Sequence, residues 1–150
     1  MSIYVARATA TLSASTTRTI VQILAGTQPL RVKELGVSFD GTDASLTPIQ
    51  VDLVRQTSGG TASATSQVPL EQQEIGPTSL TTYRAGFSST EPTTTDVIRS
   101  WFVTPAGGLL VMQFPLGDEP VVGSAGRLAI RCITGSGTTP NVAAYIVFDE

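Results

Sequence analysis

The spacing of the apolar residues narrows the fold most. No stretch of useful length repeats them every three or four positions, as an amphipathic helix requires. They alternate, or gather in short blocks, between clusters of Gly, Pro, Ser and Thr, which is the pattern of an all-β chain. The segment "IQVDLVRQT" (49–57) is the clearest case: Ile49, Val51 and Leu53 share one face, Gln50 and Asp52 the other. "RLAIRCIT" (127–134) alternates as cleanly, with Leu128, Ile130 and Cys132 inward and Arg127, Ala129 and Arg131 outward.

Further strands are expected over 3–12, 17–24, 30–39, 80–87, 96–103, 109–115 and 142–148. Within 30–39 the inward phase changes: Leu30 and Val32 fall on one face, then Leu35, Val37 and Phe39 on the other. One extra residue flips the phase, so a bulge is expected near Gly36. "DVIRSWFV" and "LLVMQFP" flank "TPAGG" (104–108), where Pro105 presets a turn and Gly107 and Gly108 permit positive φ; together they read as a β-hairpin. Residues 58–79 carry Gly and Pro punctuation and few apolar anchors, the marks of a long loop with one short strand near 61–67. A length of 150 residues suits one domain. The expectation is a single-domain antiparallel β-sandwich over 1–150, jelly-roll-like, of about eight strands. Residues 1–12 are a candidate extended arm. Trp101, Phe102, Phe114, Leu128, Ile130, Cys132, Ile146 and Phe148 are the expected core, Trp101 and Phe102 because both faces of their strand read as covered.

The chemistry-bearing residues are sparse. There is no histidine, which removes the Ser-His-Asp triad, the Cys-His dyad and the usual zinc sites. The single cysteine, Cys132, stands on an apolar strand face and reads as a packing thiol. No glycine cluster sits between a strand and a helix as a phosphate loop requires. A glycosidase needs only two facing carboxylates, and Asp52, Asp118 and Glu119 are the candidates. Neighbours on an extended loop diverge, so Asp118 and Glu119 pair poorly with each other. They read instead as a rigid acid-bearing turn, "LGDEP", bonded to Arg99, Arg127 or Arg131. The acidic loops "DGTD" (40–43) and "GDE" (117–119) lack the rest of a calcium loop. Trp101, Phe102 and Tyr145 would make a sugar platform only if exposed. The reading is a non-enzymatic chain with no catalytic residue, no cofactor and no metal.

A net charge of −3 and a pI near 4.8 argue against a nucleic-acid binder, which carries a basic patch. No run approaches a membrane span, and the start has no continuous apolar core like that of a signal peptide. Of the nine basic residues only Lys33 is a lysine. Arginine bias reflects a GC-rich genome or fixed ion pairs at subunit contacts. Two strands are apolar on both faces: Leu109 and Val111 back onto Leu110 and Met112, and Tyr145 and Val147 onto Ile146 and Phe148. Large exposed apolar patches are rare on monomers. Tyr145, Val147, Leu109 and Val111 are therefore candidate contacts in a homo-oligomer, with a trimer expected.

Four blocks, "VKELGVSFDGT" (32–42), "EPTTTDVIRSW" (91–101), "QFPLGDEP" (113–120) with "RLAIR" (127–131), and "YIVFDE" (145–150), together resemble small all-β structural proteins of tailed bacteriophages, of the capsid decoration or cement type. The resemblance spans most of the chain except its middle, and its motifs are structural. It implies a virion protein on the capsid surface, made in the host cytoplasm. Such a protein sits on the major capsid protein of the assembled head as a homotrimer and ties neighbouring subunits together. The competing reading is a receptor- or carbohydrate-binding β-sandwich module of a phage tail or fibre, since the same folds host both.

Overall fold

The computed structural model describes residues 2–74 and 76–150. Among the described residues twelve strands form two six-stranded antiparallel sheets. They are β1 (Ile3–Thr11), β2 (Thr17–Leu24), β3 (Leu30–Phe39), β4 (Ile49–Gln56), β5 (Ala62–Gln67), β6 (Leu70–Glu71), β7 (Thr82–Phe87), β8 (Thr94–Val103), β9 (Leu109–Gln113), β10 (Val121–Val122), β11 (Arg127–Ile133) and β12 (Asn141–Asp149). The first sheet runs β10-β3-β12-β1-β6, with β9 also paired to β3. The second runs β5-β7-β2-β11-β4-β8.

Eight of these strands make a jelly roll. With β9 and β10 taken as one interrupted strand, the first sheet contributes β9/β10, β3, β12 and β1, and the second β2, β11, β4 and β8. The chain crosses between sheets at every step except β4 to β8, which is the connectivity of two interleaved Greek keys. The count exceeds the expected eight for two reasons. The stretch 58–79 holds the expected short strand, as β5, and also β6, and these with β7 widen both sheets. And β9 is separated from β10 by a turn.

The inner faces follow the alternation. Ile49, Val51 and Leu53 of β4, Leu128, Ile130 and Cys132 of β11, and Ile146 and Phe148 of β12 are buried together with Phe114 in one core cluster. The Tyr4 and Phe148 rings tilt against each other with centroids 5.8 Å apart. Burial pushes the Cys132 thiol pKa up to about 12, as for an inert packing group.

Four expectations need correction. The β3 bulge lies at Lys33, because Glu34 opposes Val147 while Val32 opposes Phe148 and the residue between is skipped. Gly36 is in register, directly opposite Tyr145. The hairpin at 96–115 does not form: β8 pairs with β4, β9 with β3, and residues 104–108 carry the chain from one sheet to the other. Pro105 and Gly108 are buried there and Gly107 has φ +82, so the turn chemistry is local while the pairing is not. Phe102 is 75% exposed, since β8 is an edge strand and its alternate residues face outward; Trp101 is half-buried and packs on the core. Residues 3–11 are no arm. They form β1, held between β12 and β6, with Tyr4 and Ala6 in the core.

Removing residues 2–8 is therefore expected to prevent folding, because it deletes an internal strand and its core side chains. Loss of the cooperative thermal transition in circular dichroism is the expected result; a truncated chain that melts like the full one contradicts this placement.

Candidate functional site

The acid-bearing turn is a strut, and its partner is the chain's one lysine. Between β9 and β10, Phe114 donates its N–H to the Lys33 carbonyl at 2.9 Å, and Val32 donates to the Pro120 carbonyl at 3.0 Å. The turn 115–119 thus sits opposite the β3 bulge, which aims Lys33 at it. Lys33 Nζ lies 2.9 Å from Glu119 Oε1 and 3.0 Å from Asp149 Oδ2, and the Gly117 N–H donates to Glu119 Oε2 at 2.6 Å. The lysine bond, then the backbone N–H donors, hold the Glu119 carboxyl at about 2; the same bond, then that of Asp149, raises the Lys33 pKa. Asp118 points into solvent and enters no ion pair among the described residues. The two acids diverge as expected, but Arg99, Arg127 and Arg131 are not their partners. Arg99 is exposed, Arg127 is half-buried, and Arg131 belongs to another network.

That network covers the centre of the outer face of the β5-β7-β2-β11-β4-β8 sheet, over β2, β11 and β4. Asp52 is fully buried and accepts from Arg131 Nε and Nη2 at 3.1 and 3.0 Å, Ser100 Oγ at 2.6 Å and Gln50 Nε2 at 3.0 Å. Arg131 reaches on to Thr94, Gln56 bonds Thr19, and Gln22 bonds both Gln56 and the Ser58 carbonyl. Glu91 accepts from the Thr19 N–H at 2.7 Å and pairs with Arg18 at 3.1 Å, drawing the loop before β8 across the sheet. Beneath these side chains Val54 and Ala129 are sealed from solvent. Asp52 lies in the opposite sheet from Asp118 and Glu119, so the three acids do not share a cleft. Asp40 and Asp43 cap their own turns through Thr42 and Ser45 and tie them to the start of β12 and the loop before it through Asn141 and Thr139.

The outer face of the other sheet has no such cover. Its central row runs Arg7, Tyr145, Gly36, Val111 across β1, β12, β3 and β9; the next runs Thr9, Ala143, Ser38, Leu109. On the other side lie Val5, Val147, Glu34 and Gln113, with Leu70 of β6 beyond Val5. The Tyr145 ring lies on Gly36, where an added Cβ would come within 2.1 Å of Cε1, so only glycine admits the ring. The Tyr145 hydroxyl and Gln113 both donate to Glu34, which lowers the Glu34 pKa; desolvation first, then this bond, pushes the Tyr145 hydroxyl up to about 12. Leu109 and Val111 are 70% and 49% exposed, and beside them a concavity of about 610 Å³ is floored by Gly36, Ser38 and Ala143.

The structure thus brings Leu109, Val111, Tyr145 and Val147 onto one surface. Sequence reasoning missed Arg7, Glu34 and Gly36 on the same face. The available signal was a lone glycine inside a strand, which marks a close approach as readily as a bulge.

No family model and no curated protein matches the sequence. Among solved structures the chain bears a weak likeness to a viral capsid protein, VP2 of the infectious bursal disease virus subviral particle. The match covers 97% of this chain and 40% of that one, at 11% identity and a TM-score of 0.22. The chain therefore spans less than half of that protein's length.

The strut makes a pH prediction. Glu119 has a folded pKa below its usual value of 4.5, so its contribution is complete above that value and fades as pH falls toward about 2. Glu119→Gln is expected to lower the melting temperature at neutral pH and to flatten its decline between pH 5 and 2. Parallel acid profiles for the two proteins would contradict the pairing.

Proposed function

We propose that the chain is a non-enzymatic structural protein of the virion, a decoration or cement protein that binds the assembled phage head as an oligomer, a trimer by the resemblance, and braces contacts between capsid subunits. The observation that carries this reading is the contrast between the two outer faces. One is covered over its central strands by the protein's own loops and polar network; the other is open across its centre, largely apolar and nearly uncharged. A surface of that kind suits permanent contact with protein. The resemblance of the four sequence blocks supplies the setting, and the jelly-roll connectivity agrees with it while hosting other functions as well.

The action is linkage. A protein that binds the assembled shell and not its loose subunits stabilises the shell. Several linked contacts per oligomer raise avidity without strengthening any single one.

Phe102 favours a second reading. A large exposed aromatic on an edge strand suits stacking against a sugar, as in a tail or fibre module. Its neighbour Trp101 turns inward, so the two do not form one platform.

Purified heads lacking the protein, mixed with it and pelleted, separate the readings. Saturable co-sedimentation at a fixed ratio to capsid subunits, with raised resistance of the heads to heat, is expected. Absence of head binding, together with glycan-array binding that Phe102→Ala abolishes, would overturn the decoration reading in favour of the second.

A further inference from the structure

Several of the groups that could carry chemistry are already occupied within the chain. Cys132 is sealed in the core, Asp52 and Arg131 satisfy each other, Lys33 is held by two carboxylates, and the acidic loops cap their own turns. The outer face of the β10-β3-β12-β1-β6 sheet is different. Arg7 makes no ion pair among the described residues, and Glu34 is bonded only by neutral donors, Tyr145 and Gln113.

We propose that this face is where copies of the chain meet, with Arg7 of one copy against Glu34 of the next. The inference rests on the oligomer reading above and names its contact surface. Two features of the face make it complementary to itself. The first is charge. Arg7 stands on β1 and Glu34 on β3, two strand spacings across the sheet and two residues along it, or about 12 Å apart, with β12 between them. They are the only charged residues of the three central rows, so each half of the face presents the sign the other half needs. The second is shape. Leu109 and Val111 project beside a hollow floored by the small side chains of Ser38 and Ala143 and by Gly36. A projecting edge and a hollow on one surface let the β9 half of one copy seat on the β1 and β12 half of the next, the head-to-tail contact from which a closed ring is built. A different partner would have to supply both the knob and the matched charges by itself.

Analytical ultracentrifugation of the full chain tests this, using Arg7→Glu, Glu34→Arg, the double reversal and Val111→Glu. The wild type is expected to associate. Each single reversal sets like charges together and should weaken association about tenfold or more, while the double reversal recovers to within about threefold of wild type. Glu34→Arg also breaks the Tyr145 and Gln113 bonds inside its own chain, so a merely structural role gives no recovery in the double variant. Val111→Glu, at a half-exposed position, should be monomeric with a nearly unchanged melting temperature. A monomeric wild type overturns the proposal, as does an oligomer indifferent to Val111→Glu or a double reversal no better than the singles. Head binding is scored separately. A monomer that binds heads keeps the head-binding part of the decoration reading and removes its oligomer together with this contact; an oligomer sensitive to these changes that binds no head keeps this contact and removes the head binding.

Discussion

The bulge at Lys33 keeps β3 in two phases at once. On one side of it Leu30 and Val32 face the core; on the other Leu35, Val37 and Phe39 do, all of them buried. Without the extra residue one of these sets would face outward, since the side-chain period of a strand is two. The bulge also aims the chain's only lysine at Glu119 and Asp149, which ties the turn between β9 and β10 to the end of β12. One local irregularity thus sets the packing of the central strand and anchors the crossover beside it.

From that frame the two outer faces diverge. The β2, β11 and β4 face carries Thr19, Gln22, Asp52, Gln56 and Arg131, long polar side chains that find one another and the neighbouring loops. Asp52, with four donors, is fully satisfied at the centre of this buried network, while Gln22 Oε1 finds no partner among the described residues. The β1, β12 and β3 face carries Val5, Ala143, Gly36 and Ser38, which are too small or too apolar to cover themselves. The cross-strand seat of Tyr145 on Gly36 is its one aromatic contact, and it leaves the rest of the face open. The functional reading rests on that difference.

Much of the frame was legible from residues. Clean alternation in 49–57 and 127–134 identifies the inner faces of β4 and β11, and the phase change in 30–39 announces a bulge within three positions of where it lies. The paired apolar faces of 109–113 and 142–148 point to an open surface on the β9 and β12 side. Other features were not legible, for reasons of geometry. Spacing cannot tell two strands that pair from two that face each other across a core, so 96–115 read as a hairpin. Edge position depends on the whole sheet order, so Phe102 read as core. A strand with half-apolar alternation looks alike as a free arm or an internal strand, so β1 read as an arm. The partner of Glu119 is distant in the chain, and arginines outnumber lysine eight to one, so an arginine was the natural expectation.

Residue pattern alone reveals the class of fold, most of the residues that face inward and the scarcity of catalytic groups. These depend on side-chain period, turn chemistry and composition, all of them local. Which strands pair, which strand is the edge, which acid meets the lysine and which outer face stays bare emerge from the folded chain alone. Those outcomes depend on contacts between residues tens of positions apart, and such contacts are settled by the packing of the two sheets as a whole.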